Sequence, residues 1–358
     1  MEANRLVPKL RFSEFGDKFN KRVLGDLTNN ISSGKSKCEE SGGFDVYGST
    51  GIIGVSSNYS HKGKYLLVAR VGANAGFINY VDGCFGVTDN TLVVDLKDGV
   101  NINFILNYLL SYNLNRLVFG SGQPLITGGI LKKVKLNIPL ISEQNKIASF
   151  LTSVDKKINL LTKKKALLES YKKGVMQKIF SQEIRFKDED GKDFPDWEEK
   201  QLGKILSIAS GRDYKNLGKG DIPVYGTGGL MTRVDKYLYE GDSVGIGRKG
   251  TIDRPVMLRG KFWTVDTLFY THNFINSIPK FVFYLFQRID WYRYNEASGV
   301  PSLSKKTIEK ILKPFPSCCE QYKIAEFLSI IDKKIELVDF QLERNKEFKK
   351  GLLQQMFV

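Results

Sequence analysis

The chain has 358 residues, room for two domains of ordinary size, and its 42% apolar content supplies a core for each. A formal net charge of +15 points to a polyanionic partner. No run approaches the roughly 18 apolar residues of a membrane-spanning helix, and the opening Met1-Glu2-Ala3-Asn4-Arg5 lacks the basic-then-apolar pattern of a secretory leader.

Residues 1–141 form an N-terminal strip followed by a globular region. Tyr65-Leu66-Leu67-Val68-Ala69 and Thr91-Leu92-Val93-Val94 have strand composition, glycine clusters punctuate them, and a short helix is predicted at Phe104 to Leu110. Residues 142–180 carry apolar side chains at a seven-residue step, Ile147, Val154, Leu161, Leu168 and Val175, widened by Phe150, Leu151, Ile158 and Tyr171. No proline interrupts them, and Ser142 with Glu143 is a helix-start signal.

An acidic connector, 181–196, leads to a second globular region, 197–318, with a short helix predicted at Phe281 to Arg288. Residues 319–358 repeat the long-helix pattern with Ile324, Ile331, Val338, Asn345 and Leu352, flanked by Phe327, Leu328, Ile335, Leu342 and Phe348. Stripes sustained over five heptads predict a coiled coil. Since a whole domain separates them, the pair is expected to be antiparallel and intramolecular, with Asn345 as a register device. About 37 helical residues at about 1.5 Å each make a rod of roughly 55 Å that would hold two domains at a fixed separation.

The chain is written twice. Residues 142–180 and 319–357 share 17 of 39 positions without a gap, at an offset of 177. With a few insertions the repeat extends outward. Leu24-Gly25-Asp26-Leu27 answers Leu202-Gly203-Lys204-Ile205, and Ser33-Gly34-Lys35 answers Ser210-Gly211-Arg212. Tyr47-Gly48-Ser49-Thr50-Gly51 answers Tyr225-Gly226-Thr227-Gly228-Gly229, Arg70-Val71-Gly72 answers Arg248-Lys249-Gly250, and Ser121-Gly122-Gln123-Pro124 answers Ser298-Gly299-Val300-Pro301. Even Arg11-Phe12 recurs, as Arg185-Phe186. Repeats this long are duplicated structural units, so the expected fold is α+β, with two pseudo-symmetric β-rich domains separated by an antiparallel coiled coil. Two equivalent halves suit a two-part target or two copies of a partner.

Segment charges agree. Residues 21–141 carry +4, the first helix +6, the connector −3, residues 197–318 carry +7, and the second helix is neutral. Signals of chemistry are sparse. His61 and His272 are the only histidines, and Cys38, Cys84, Cys318 and Cys319 have neither metal-ligand spacing nor disulfide density, so reduced cytoplasmic thiols and no metal are expected. A phosphate-binding G-x-x-x-x-G-K-[ST] loop and the Asn-Pro-Pro-Tyr of adenine methyltransferases are absent. Gly245-Ile246-Gly247-Arg248-Lys249-Gly250 fits G-x-G-x-x-G, yet Pro255 follows too soon for a dinucleotide-binding helix. Pro195-Asp196 with Glu198 and Lys200 has a nuclease-like composition, but its carboxylates are too crowded to come from separate strands, and it is read as linker. No catalytic residue is expected.

Two basic domains, each followed by a helix opening Glu-Gln-x-Lys-Ile-Ala-x-Phe-Leu and continuing Asp-Lys-Lys-Ile, resemble the specificity (S) subunit of type I restriction-modification systems. The openings Pro8-Lys9-Leu10-Arg11-Phe12 and Phe194-Pro195-Asp196-Trp197, with the Tyr-Gly-[Ser/Thr]-x-Gly and Arg-x-Gly pieces, extend the resemblance over the whole chain. One departure is Val71-Gly72-Ala73 where the second copy has Lys249-Gly250-Thr251, so the two loops are expected to grip DNA differently.

The resemblance implies a target recognition domain in each globular region, reading one half of a split, asymmetric site in double-stranded DNA, with the helix pair as the ruler for the gap. It implies two methyltransferase subunits as partners, S-adenosylmethionine carried by them and no cofactor in this chain, and added motor and nuclease subunits. The implied role is a cytoplasmic, non-catalytic DNA-binding scaffold. A stand-alone or regulatory DNA-binding scaffold without restriction partners is the alternative. By loop context the DNA-binding candidates are Lys35, Tyr47, Ser49, Arg70, Asn74, Ser121 and Gln123 in the first domain. In the second they are Arg212, Tyr225, Thr227, Arg233, Arg248, Lys249, Ser298 and Ser302.

Overall fold

The computed structural model describes residues 7–119 and 124–358, which divide into two compact units. One comprises 1–164 with 338–358 and the other 165–337, so each unit takes part of both long helices, Ile141–Phe180 and Cys318–Met356.

In the first unit a six-stranded sheet runs in the order Thr28–Ser33, Thr91–Leu96, His61–Ala69, Ile78–Val87, Phe44–Gly48, Gly51–Ser56. Neighbours are antiparallel except Phe44–Gly48, which lies parallel to Ile78–Val87. A separate pair joins Asn20–Val23 to Lys135–Ile138. The apolar sides of Leu66, Val68 and Val94 meet Phe104, Ile105 and Leu109 of the helix Ile102–Tyr112. The same core takes Ile147, Leu151 and Val154 from the first long helix and Leu352, Met356 and Phe357 from the second stretch. A smaller core of Leu67, Val81, Phe85, Val87 and Val93 lies on the other face of the sheet.

The second unit repeats this plan with a break. Where the first unit has one ten-residue strand, Ile78–Val87, the second has Val256–Leu258 and Lys261–Thr264, parted by Arg259-Gly260. Its strands accordingly form two four-stranded sheets plus the pair Glu198–Gln201 with Leu312–Phe315. The core gathers Val244, Ile246, Phe281, Tyr284, Phe286 and Trp291 around Met176, Ile179, Ile324, Leu328 and Ile331. The predicted short helix is present as Pro279–Phe286. No helix follows Gly247; the chain turns back so tightly that a Cβ there would lie 2.0 Å from the Thr251 carbonyl oxygen.

The repeated helix opening has a physical explanation in each unit. Glu143 is 1% exposed and accepts from Arg11 Nε and Nη2, both at 2.7 Å. Glu320 is 0% exposed and accepts from Arg185 Nε at 3.2 Å, Arg185 Nη2 at 2.9 Å and Trp197 Nε1 at 3.1 Å. Buried carboxylates need partners of this kind, and the hydrogen bond to each carboxylate is the main reason that the pKa of Arg11 and Arg185 is raised. Gln144 then donates to the Pro139 carbonyl and accepts from Asn101 N–H, while Gln321 donates to the Pro316 and Asn276 carbonyls and accepts from Ile278 N–H. Phe12 packs edge-on against Phe150, and Phe186 against Phe327. The segment Asp196–Lys200 is structural as well: Asp196 pairs with Arg185, and Glu198 with Lys200.

The long helices pair in an antiparallel sense. Asp155 meets Lys349 at 2.6 Å in the first unit, and Lys172 meets Asp332 at 2.6 Å in the second. Each aspartate opens an Asp-Lys-Lys-Ile run and each lysine is the other copy's counterpart, so the two ion pairs are one contact made twice. These pairs specify register more directly than Asn345, whose side-chain amide donates to the Gln341 carbonyl of its own helix. Of the seven-residue stripe, Ile147, Val154, Ile324, Ile331, Val338 and Leu352 are buried, and Leu161, Leu168, Val175 and Asn345 are half-buried. Tyr171 and Phe348, which the sequence spacing adds to that stripe, are both 53% exposed. The apolar face shifts to Met176 and Ile179, because a straight helix at 3.6 residues per turn drifts off a strict heptad. Reversing one charge, Asp155→Lys, is expected to cost about 0.5–1 kcal/mol, as a part-exposed pair does. Adding Lys349→Asp should recover most of it in a double-mutant cycle read by urea denaturation.

Candidate nucleic-acid interface

In each unit one short turn organises the sequence-picked loops. In the first it is Val87–Thr91. Gly34 N–H donates to the Thr91 carbonyl at 3.1 Å, Ser36 N–H to Val87 at 2.8 Å, and Thr88 N–H to Tyr47 at 3.0 Å. Arg70 N–H donates to the Asn90 carbonyl at 2.8 Å and Arg70 Nη1 to the Asp89 carbonyl at 3.3 Å. The glycine loop, the hairpin and the arginine loop thus hang on five residues. A fourth segment hangs on the arginine loop, through Gly72 N–H to Pro124 at 3.0 Å and Ile126 N–H to Arg70 at 2.9 Å.

The second unit builds the same node on Thr264–Leu268. Gly211 N–H donates to Leu268 at 3.2 Å, Arg212 N–H to Thr264 at 2.8 Å, and Val265 N–H to Tyr225 at 3.0 Å. Arg248 N–H reaches Thr267 at 2.8 Å, and its Nη1 the Asp266 carbonyl at 3.3 Å. Gly250 N–H then bonds Pro301 at 2.8 Å and Leu303 N–H bonds Arg248 at 2.9 Å. Glycine is required where loop meets turn: a Cβ on Gly34 would lie 2.1 Å from the Val87 carbonyl oxygen, and one on Gly211 2.0 Å from that of Val265.

The fastened segments carry Lys35, Tyr47, Ser49 and Arg70 in one unit, and Arg212, Tyr225, Thr227, Arg248, Lys249 and Ser302 in the other, whereas Asn74 borders a separate concavity with Leu109, Leu110 and Asn113. Ser121 and Gln123 lie outside the described residues. Lys35, Asn74, Arg212, Arg248 and Lys249 are exposed, and Arg70 is half-buried. Each arginine gives one of its five N–H donors to a backbone carbonyl, which aims the fork and leaves four for a ligand. Arg248, Lys249, Ser302, Ser304 and Lys305 border an open concavity of about 490 Å³, with Glu296 on its rim. Ser298 belongs to the exposed loop beside it, held by the Asn295 side chain, which accepts from Ala297 and Ser302 N–H.

Two candidates differ from the rest in setting. The Tyr47 ring packs edge-on against Phe85, 5.6 Å between centroids, and burial raises its pKa. Arg233 sits at the base of its strand opposite Pro223 and donates to the Asp221 carbonyl at 2.8 Å, away from the turn. Sequence reasoning missed the turn itself and two of its fasteners. Ser36 Oγ accepts from Val87 N–H, and Trp263 Nε1 donates to the Arg212 carbonyl at 2.8 Å. The available signal was the aspartate that recurs at the offset of 177, Asp89 and Asp266, among turn-forming neighbours.

Among the described residues no group of His, Cys, Asp or Glu could hold a metal ion, and no helix is long and apolar enough to cross a membrane. Comparisons with known proteins meet this geometry directly. The family model for the type I restriction modification DNA specificity domain matches twice, over residues 17–170 and 195–344. The EcoprrI specificity subunit of Escherichia coli is 36% identical over 124 residues, 35% of this chain and 31% of that one. The MjaVIII specificity subunit of Methanocaldococcus jannaschii is 26% identical over 336 residues, 80% of this chain and 77% of that one. The crystal structure of the type I S subunit from M. genitalium shares the fold, with a TM-score of 0.72 at 20% identity over 98% of this chain and 99% of that one. With the domain present twice and one basic loop cluster built in each unit, the chain belongs to the type I restriction-modification specificity subunit family.

Proposed function

We propose that this chain reads a split, asymmetric site in double-stranded DNA, one half-site with each loop cluster, and performs no chemistry itself. The observation that carries the reading is the recurrence of the node: the same three segments on the same turn and a fourth on the arginine loop, with an arginine oriented by the corresponding carbonyl. The domain plan at issue is 1–141 and 197–318 as target recognition domains, 142–180 and 319–358 as spacer helices and 181–196 as connector. The antiparallel helices act as the ruler for the unspecified gap.

The same chain scaffolds two methyltransferase subunits, which carry S-adenosylmethionine, and through them the motor and nuclease subunits, in the cytoplasm. Exposed apolar side chains on the helices support this reading. Leu160, Phe340 and Phe348 are 53–59% exposed in the first unit, and Leu167, Tyr171 and Leu337 are 53–71% exposed in the second. Large apolar side chains left in water on a helix are available for burial against a partner.

The test compares two single substitutions on matched duplexes. Arg248→Ala should weaken binding to DNA carrying the second half-site by roughly 10–100-fold, the worth of a charge-assisted contact of about 1.5–3 kcal/mol. Arg70→Ala should do the same for the first half-site alone. Binding unchanged from wild type in both variants at physiological salt would remove these arginines from the interface.

A further inference from the structure

Each node carries a protruding apolar tip. The hairpin Phe44–Gly48 with Gly51–Ser56 ends in Ile52 and Ile53, which are 57% and 47% exposed. The hairpin Ile222–Gly226 with Gly229–Val234 ends in Leu230 and Met231, which are 56% and 54% exposed. All four side chains are thus left largely uncovered by their own unit.

The tips are built alike. Both hairpins slip register at the same place, between Val46 and Tyr47 and between Val224 and Tyr225. Such bulges re-aim the side chains that follow. Both turns end on a glycine at positive φ, +104° at Gly51 and +106° at Gly229, a conformation L side chains rarely adopt. In both, the second aliphatic side chain folds over a glycine. A Cβ on Gly48 would lie 2.8 Å from Ile53 Cδ1, and one on Gly226 2.6 Å from the Met231 sulfur. Each tip is tied to the turn that orients the arginine, through Tyr47 or Tyr225.

We infer that the two tips make the apolar base contacts of the two half-sites, laying Ile52 and Ile53, or Leu230 and Met231, against thymine methyl groups in the major groove. This rests on the DNA-reading function proposed above. A two-stranded ribbon fits the major groove, and the thymine C5-methyl is the apolar group displayed there. Lysine and arginine on the same node, Lys35 and Arg70 or Arg212 and Arg248, complement the flanking phosphates. Backbone-gripping positions recur between copies, whereas the tip residues keep aliphatic character but change shape, as befits two domains reading different bases. The exposed tips thereby acquire a partner that the polar surroundings select as nucleic acid.

The test uses the chain in complex with its methyltransferase subunits and duplexes carrying the mapped site, with thymine replaced by deoxyuridine in one half-site at a time. Removing a contacted methyl should weaken wild-type binding about fourfold, the worth of one buried methyl group. The variant Ile52→Ser with Ile53→Ser should bind the thymine duplex more weakly and lose that discrimination in the first half-site only. Leu230→Ser with Met231→Ser should do so in the second. A control that keeps apolar character, Ile52→Val with Ile53→Val, should keep a preference for thymine and reports on folding. Undiminished thymine preference in the serine variants overturns the inference while leaving the DNA-reading function standing. Loss of methyltransferase co-purification with intact thymine preference overturns it in favour of a protein occupant. A wild-type complex with no sequence preference on any duplex overturns both.

Discussion

Gly211→Ala is expected to weaken recognition of one half-site about 100-fold and spare the other. The added Cβ would lie within 2.4 Å of the backbone oxygens of Thr264 and Val265, atoms that cannot swing aside as a side chain could. The loop must leave the turn, breaking the Gly211–Leu268, Arg212–Thr264 and Trp263–Arg212 hydrogen bonds. At about 1 kcal/mol each, the three bonds amount to a loss on the order of 100-fold for DNA carrying the second half-site. Gly34→Ala should produce the mirror result, since its Cβ meets Val87 in the same way. Competition between duplexes with either half-site scrambled reads both outcomes. Equal loss on both half-sites from a single substitution would contradict independent reading.

The largest effect on stability is expected from Glu320→Ala. This carboxylate is 0% exposed and holds three N–H donors of Arg185 and Trp197. Its removal leaves the Arg185 guanidinium, whose side chain is 22% exposed, with only the exposed Asp196 carboxylate and the Phe194 and Pro195 carbonyls, a loss of about 3 kcal/mol, the low end for breaking a buried pair from one side. Denaturation followed by tryptophan fluorescence should show an earlier transition. Glu320→Gln should restore part of the loss, because the amide oxygen still accepts one hydrogen bond. The cost arises in the second unit. Glu143→Ala should report the same physics in the first, where Arg11 is 10% exposed. A loss below about 1 kcal/mol, the range of surface pairs, would mean that water already reaches the pair.

Much of the fold was legible because it is periodic or repeated. The seven-residue step marked both long helices, and their separation in one chain implied the antiparallel sense that Asp155–Lys349 and Lys172–Asp332 display. Periodicity could not show where the stripe drifts. Tyr171 and Phe348 therefore turn outward, while Met176 and Ile179 turn inward. The repeat also picked out loops that the structure brings together, Lys35 with Arg70 in one unit and Arg212 with Arg248 in the other.

What joins them was not legible. Val87–Thr91 lies some forty residues from the hairpin in sequence, and backbone hydrogen bonds to a turn leave no trace in residue identity beyond Asp89 and Asp266. Nor does composition show what a tyrosine ring packs against, which for Tyr47 is Phe85. Arg233 shows another limit: a basic residue in a hairpin does not reveal its place along the strand, here opposite Pro223 and away from the turn.

The central claim is tested most directly by mapping methylation in a methylation-free host that expresses the methyltransferase subunit with and without this chain. The account predicts a split, asymmetric, adenine-methylated motif only when the chain is present, with one half of the motif lost in the Gly34→Ala chain and the other in the Gly211→Ala chain. The same methylation without the chain, or none when the subunits co-purify as a soluble complex, would contradict it.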